Sequence, residues 1–177
     1  WDSNQNDVPG EGVYVRQYGG DGVALGGETR VNQQDGTHDE PSVAALADGG
    51  YVVVWQTFSI DNDGWGVAGQ RFDSDGGRVG SVFQANTTTR NSQYNAVAAG
   101  LENGGFAVVW SSEPSNDQNI DGQVFDANGV AVGEEFRVNE VASNRQGRPA
   151  IVGLAGGGFA VAWEDQNIDR DWIGIGL

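Results

Sequence analysis

Apolar positions in this chain fall in short runs, and three of the runs are near copies of one another. Gly49-Gly50-Tyr51-Val52-Val53-Val54-Trp55 returns as Gly104-Gly105-Phe106-Ala107-Val108-Val109-Trp110 and again as Gly157-Gly158-Phe159-Ala160-Val161-Ala162-Trp163. The tryptophans are 55 and 53 residues apart, and Trp1 lies 54 before the first. The pattern predicts one repeat module over 1–177, with repeats at 1–54, 55–109 and 110–162 and a truncated fourth at 163–177. A fixed period of this size is the mark of supersecondary units that stack on their neighbours.

Each unit divides into four short segments separated by Gly, Asn and Asp clusters. The first is Thr29-Arg30-Val31-Asn32, with counterparts ending at Asn86 and Asn139. The second is Val43-Ala44-Ala45-Leu46, the third is the tryptophan run, and the fourth runs from Val67 to Phe72. Runs this short, with no sustained 3.6-residue period, predict β-strands throughout. Asp48-Gly49-Gly50 and Asn103-Gly104-Gly105 predict tight hairpins between second and third strands, and Asp73-Ser74-Asp75-Gly76 predicts a turn after the fourth.

In the third strand Tyr51, Val53 and Trp55 alternate with Val52 and Val54, so both faces are apolar and both should be covered. The second strand is small on both faces, as suits sheets converging on an axis. The fourth, with Gln70 and Arg71, reads as an outer, solvated edge. Together these predict an all-β fold of four-stranded antiparallel blades of a β-propeller. A β-trefoil is the alternative, disfavoured because its strands should not be apolar on both faces. Three blades do not close a propeller, so further repeats or self-association would complete it. The strand from Val13 to Tyr18, or a strand from outside, could close the last sheet.

Charge narrows the partners. The chain carries 25 acidic residues against nine basic ones, a net charge of −16. Such a surface repels phosphate backbones and anionic lipid, which argues against nucleic acid and membrane insertion and in favour of cations such as calcium. With no cysteine, neither disulfides nor thiolate metal sites contribute. The chain opens in mid-repeat on a residue other than methionine, which reads as a piece of a longer protein.

The loops after the tryptophans concentrate acidic and amide side chains. Asp117, Asn119 and Asp121, then Asp165, Asn167 and Asp169, alternate oxygen ligands as in the front half of a calcium loop, and Asp61 and Asp63 form a looser version. The same residues can equally serve as Asx turns in polar hairpins. Trp65 and Trp172 follow these loops, at the place where the middle repeat has Ile120, and could form a platform for a sugar ring or cap a blade edge. Catalysis finds little support: His38, the only histidine, reads as a solvated loop residue, and Asp39 and Glu40 are adjacent rather than opposed.

The motif set Gly133, Phe136, Val138, Asn139, Pro149, Ile151, the run from Gly157 to Trp163 and Gly69-Gln70-Arg71-Phe72-Asp73 resembles tandem repeats of very large secreted Gram-negative bacterial proteins, which often carry calcium-binding nonapeptides of the RTX type. The resemblance implies an extracellular or cell-surface, non-catalytic structural or adhesive module. Its partners would be copies of itself or adjacent repeats, and calcium would be its cofactor. A lectin-like glycan-binding module and an accessory domain of a secreted hydrolase are the alternatives.

Overall fold

The computed structural model describes residues 12–58, 60–61, 63–113, 117–141 and 145–165, and of residues 2–3 the backbone alone. Among them there are thirteen strands and no helix. β1 (Asp2–Ser3), β2 (Gly12–Val15) and β3 (Thr29–Arg30) form a small first sheet. A four-stranded sheet follows in the order β4 (His38–Ala45), β5 (Tyr51–Phe58), β6 (Trp65–Phe72) and β7 (Arg78–Gln84). The next repeats it with β8 (Gln93–Gly100), β9 (Phe106–Ser112), β10 (Asn119–Phe125) and β11 (Ala131–Arg137). β12 (Gln146–Gly153) and β13 (Phe159–Asp165) pair as the described part of a further sheet. All strand pairs within these sheets are antiparallel.

Three corrections to strand placement follow. The run from Val67 to Phe72, expected at a solvated edge, is the third strand, with β7 folded back beside it through the Asp73–Gly77 hairpin. Gln70 is fully buried because its amide Nε2 donates to the carbonyls of Arg71 and Val79 at 2.9 and 3.2 Å, satisfying a bulge from within. The segment ending at Asn86, expected to open a repeat, closes the preceding sheet instead. Val13 pairs in the first sheet with Asp2 and lies between β1 and β3, rather than closing the last one.

Both faces of the tryptophan strand are covered, as its composition requires. Val53 and Trp55 pack with Val13 and Val31 of the first sheet, while Val52 and Val54 meet Phe106, Val108 and Trp110 of the next. Tyr51 stacks on Phe72 at 5.0 Å and Phe106 on Phe125 at 4.9 Å, the same contact in successive blades. The innermost strands approach to backbone contact. A methyl group on Gly100 would lie 2.0 Å from the carbonyl oxygen of Ala45, and one on Gly153 would lie 2.2 Å from that of Gly100. Small residues are therefore obligatory where the sheets converge.

Candidate functional site

Each innermost strand carries the same irregularity. The ladders skip between Asp39 and Ser42, between Tyr94 and Val97, and between Gly147 and Ala150. At the skip stands a non-glycine residue in the left-handed region: Glu40 at φ 49°, Asn95 at 55° and Arg148 at 52°. Such a backbone disfavours any residue with a Cβ, and strain of this kind concentrates where a fold positions functional groups. The three meet around one cleft of about 350 Å³, walled also by Pro41, Ser42 and Pro149.

Local bonds hold this axial cleft open. Gln56 of the tryptophan strand accepts the Asn95 N–H at 3.2 Å, and Arg148 reaches Glu164 at 3.5 Å. Burial and then the charge of Asp39 push the Glu40 carboxyl above its ordinary range, against the pull of the Asn95 amide and Arg148. Beside Asn95, Tyr94 donates to Glu113 and accepts from Gln118 at 2.6 Å; burial, then that carboxylate, push its phenol well up. The sequence signal for this cleft was present but weak: three unlike polar residues, each two positions past His38, Gln93 or Gln146.

Beneath each blade junction a buried asparagine acts as a clip. Asn32, Asn86 and Asn139 accept the N–H of Val13, Val67 and Ile120 at 2.9, 2.9 and 2.8 Å. Their amides donate to the carbonyl two residues on, and Asn86 and Asn139 also donate to Gln93 and Gln146 of the next blade. His38 occupies the position of those glutamines. Expected in a solvated loop, it is instead buried in β4, with Nε2 3.0 Å from the Gln34 carbonyl oxygen.

The expected calcium ligands do not gather into a cage among the described residues, where no three acidic or histidine side chains cluster for a metal. Asn119 and Asp121 lie within β10, not in a loop, and their oxygens face protein donors. Asn119 accepts from Asn139 at 2.9 Å, while Asp121 accepts from Arg137 at 3.1 Å and from the Ser112 hydroxyl. Asp61 accepts from Asn86 at 3.1 Å and from the Asp63 N–H at 3.2 Å; Asp63 accepts from the Asn91 N–H. Asp117 is half-buried just before β10, and Asp165 ends β13 within 3.4 Å of Gln146. Asn167, Asp169 and Trp172 lie outside the described residues.

Trp65 is half-buried at the start of β6 and meets Phe58 edge-on at 5.6 Å. Its counterpart is Gln118, not Ile120, because Val67 and Ile120 make the same bond to their asparagine clips.

No protein-family model and no curated protein matches this chain. The crystal structure of an endo-arabinase from Bacteroides thetaiotaomicron VPI-5482 is similar to it, with a TM-score of 0.51 and 14% identity over 89% of this chain. The match spans 62% of the endo-arabinase, so this chain corresponds to less than two thirds of that protein's length. The likeness is one of fold. With the stacked four-stranded sheets it makes these units blades of a β-propeller and sets the trefoil aside.

Proposed function

We propose that this chain is a non-catalytic, glycan-recognising stretch of propeller blades from an extracellular or cell-surface protein, with its ligand in the axial cleft. The observation that carries this reading is the trio Glu40, Asn95 and Arg148: one strained backbone shape, three different polar side chains. The tryptophan position, by contrast, keeps one residue in all three repeats, Trp55, Trp110 and Trp163. Anionic, neutral and cationic groups around one cleft of about 350 Å³ suit a ligand dense in hydroxyls. Glu40 is the one carboxylate among the described lining residues, whereas glycoside hydrolysis ordinarily uses two flanking the bond.

An adhesive or spacer role fits the far face of the last sheet. Val152, Leu154, Ala160 and Ala162 are exposed there, at the places where Ala44, Leu46, Val52 and Val54 are buried against the next blade. A further blade, from adjacent repeats or a second copy, would cover them. A role as accessory to a secreted hydrolase is the second reading, favoured by the endo-arabinase likeness.

The test exploits the backbone. Asn95→Gly and Arg148→Gly keep the left-handed conformation while removing the side chain. Both variants should fold and lose signal on a glycan array that includes arabinan. Undiminished binding refutes the axial site, and release of sugar from arabinan by the native chain would favour the hydrolase reading.

A further inference from the structure

The groove between successive blades occurs in equivalent positions, and the copies differ. In the first, Ile60, Ala68 and Val82 fill the space beside Trp55 and leave only about 10 Å³. In the second the volume is about 310 Å³. Strand register identifies the substitutions. Ala68 faces Trp55 and pairs with Gln84; Asp121 faces Trp110 and pairs with Arg137. Glu135 replaces Val82, and the loop that delivers Ile60 is two residues shorter in the second repeat.

A blade without function here would keep the apolar plug. The charges are also arranged. Asp121 is held by Arg137 and Ser112, and one Glu135 oxygen takes the N–H groups of Thr87 and Thr88 at 2.7 and 3.1 Å, which fixes the wall. With those carboxylates engaged, the Arg90 guanidinium has no side-chain partner among the described residues, and two of the nine arginines of a strongly acidic chain face one groove. Thr88 adds an exposed hydroxyl, the buried Gln93 amide beneath is tied to Asn86 and to the carbonyls of Arg90 and Asn91, and the half-buried ring of Phe136 adds an apolar surface.

We propose that this second inter-blade groove binds a carboxylate-bearing sugar, a uronate, with Arg90 and Arg137 toward the carboxylate and the exposed Thr88 toward a hydroxyl. It is separate from the axial cleft. A bidentate guanidinium–carboxylate contact gives the charge preference, and the polar wall distinguishes a sugar from a simple acid.

The experiment is titration calorimetry of the 177-residue chain with methyl galacturonate glycoside (free acid), methyl galactoside and acetate at fixed ionic strength. The uronate should bind best, and Arg90→Gln should weaken it roughly tenfold, as expected for one charge-assisted hydrogen bond. Asp121→Ala with Arg137→Gln, which installs the Ala68–Gln84 pair of the preceding blade, should abolish binding; Asn95→Gly should leave it intact. Because Arg90 is exposed, its variant tests the site even if the double variant unfolds. Absence of uronate binding, equal affinity for galactoside or acetate, or indifference to Arg90→Gln would overturn the proposal.

Discussion

Replacing Asn86 by alanine tests whether the blades are held together by one amide or by apolar packing alone. The side chain is 2% exposed and has four partners. Its oxygen takes the Val67 N–H, and its NH2 is shared among Thr88, Gln93 and Asp61 at 3.0, 2.8 and 3.1 Å. Alanine leaves a buried N–H and a buried glutamine carbonyl without partners. Each such loss costs about 1–3 kcal/mol, so the total should be roughly 2–6 kcal/mol. Urea unfolding reads this directly as a fall in midpoint at unchanged slope. Thr89→Ala, three residues on and exposed, is the control and should stay within about 0.5 kcal/mol.

Asn86→Asp sharpens the test, because it keeps the acceptor but replaces the donor with an oxygen that faces three oxygens, those of Thr88, Gln93 and Asp61. An ionised carboxylate there is repelled, so its folded pKa must rise above the unfolded value of about 3.9. The folded state then binds the extra proton, and stability falls as pH rises from about 4 through the raised pKa. The variant should therefore be least stable at neutral pH and recover in acid. If Asn86→Ala shifts the midpoint no more than Thr89→Ala, the clip is incidental and packing alone joins the blades.

Trp110→Ala should cost about 3–5 kcal/mol by denaturant melting because the ring is wholly buried, and the half-buried Trp65→Ala clearly less; equal losses would refute that division. Gly100→Ala should destabilise by roughly 1–3 kcal/mol, since its methyl meets the Ala45 carbonyl, while Gly26→Ala, with open space around it, should be near neutral. Because the Glu40 pKa is raised from 4.5, its contribution to stability declines as pH rises above that value, and Glu40→Gln should flatten this part of the pH–stability curve relative to the native chain. Asp117→Asn should leave any calcium dependence of melting at fixed ionic strength unchanged, because its expected co-ligands Asn119 and Asp121 face protein donors; loss of a calcium-specific rise would restore the loop as a cation site.

The hairpins were legible because the turn residues that set them act within their own unit. A methyl on Gly50 would strike the Phe72 carbonyl at 2.3 Å, and one on Gly105 the Phe125 carbonyl at 2.3 Å, so the second glycine of these two pairs is compulsory. Polarity misled the strand order. Gln70 looks like an edge residue, yet it is buried with its amide nitrogen donating into its own bulge. Spacing placed Asp121 in a loop because it does not show that the residue stands in β10 opposite Trp110 and beside Arg137. The axial trio was hidden for a different reason: its shared property is a backbone angle, which three dissimilar side chains do not announce.

The variable loops after the tryptophans take on a different meaning once the clips are placed. In the first full blade Asp61 folds back to bond Asn86, and Gly66 makes this possible, since a Cβ there would lie 2.8 Å from the Asp61 carboxylate and 2.5 Å from Ile60. In the next blade the residue at the Gly66 position is Asn119, which gives the same bond to Asn139 from within the strand. The clip then needs no loop. A chain that meets this requirement from the strand can shorten the loop, withdraw the Ile60 plug and leave the groove beneath it open. Acidity in the first loop is thus a tether, and its replacement in the second is what makes room for the charged groove beside Arg137.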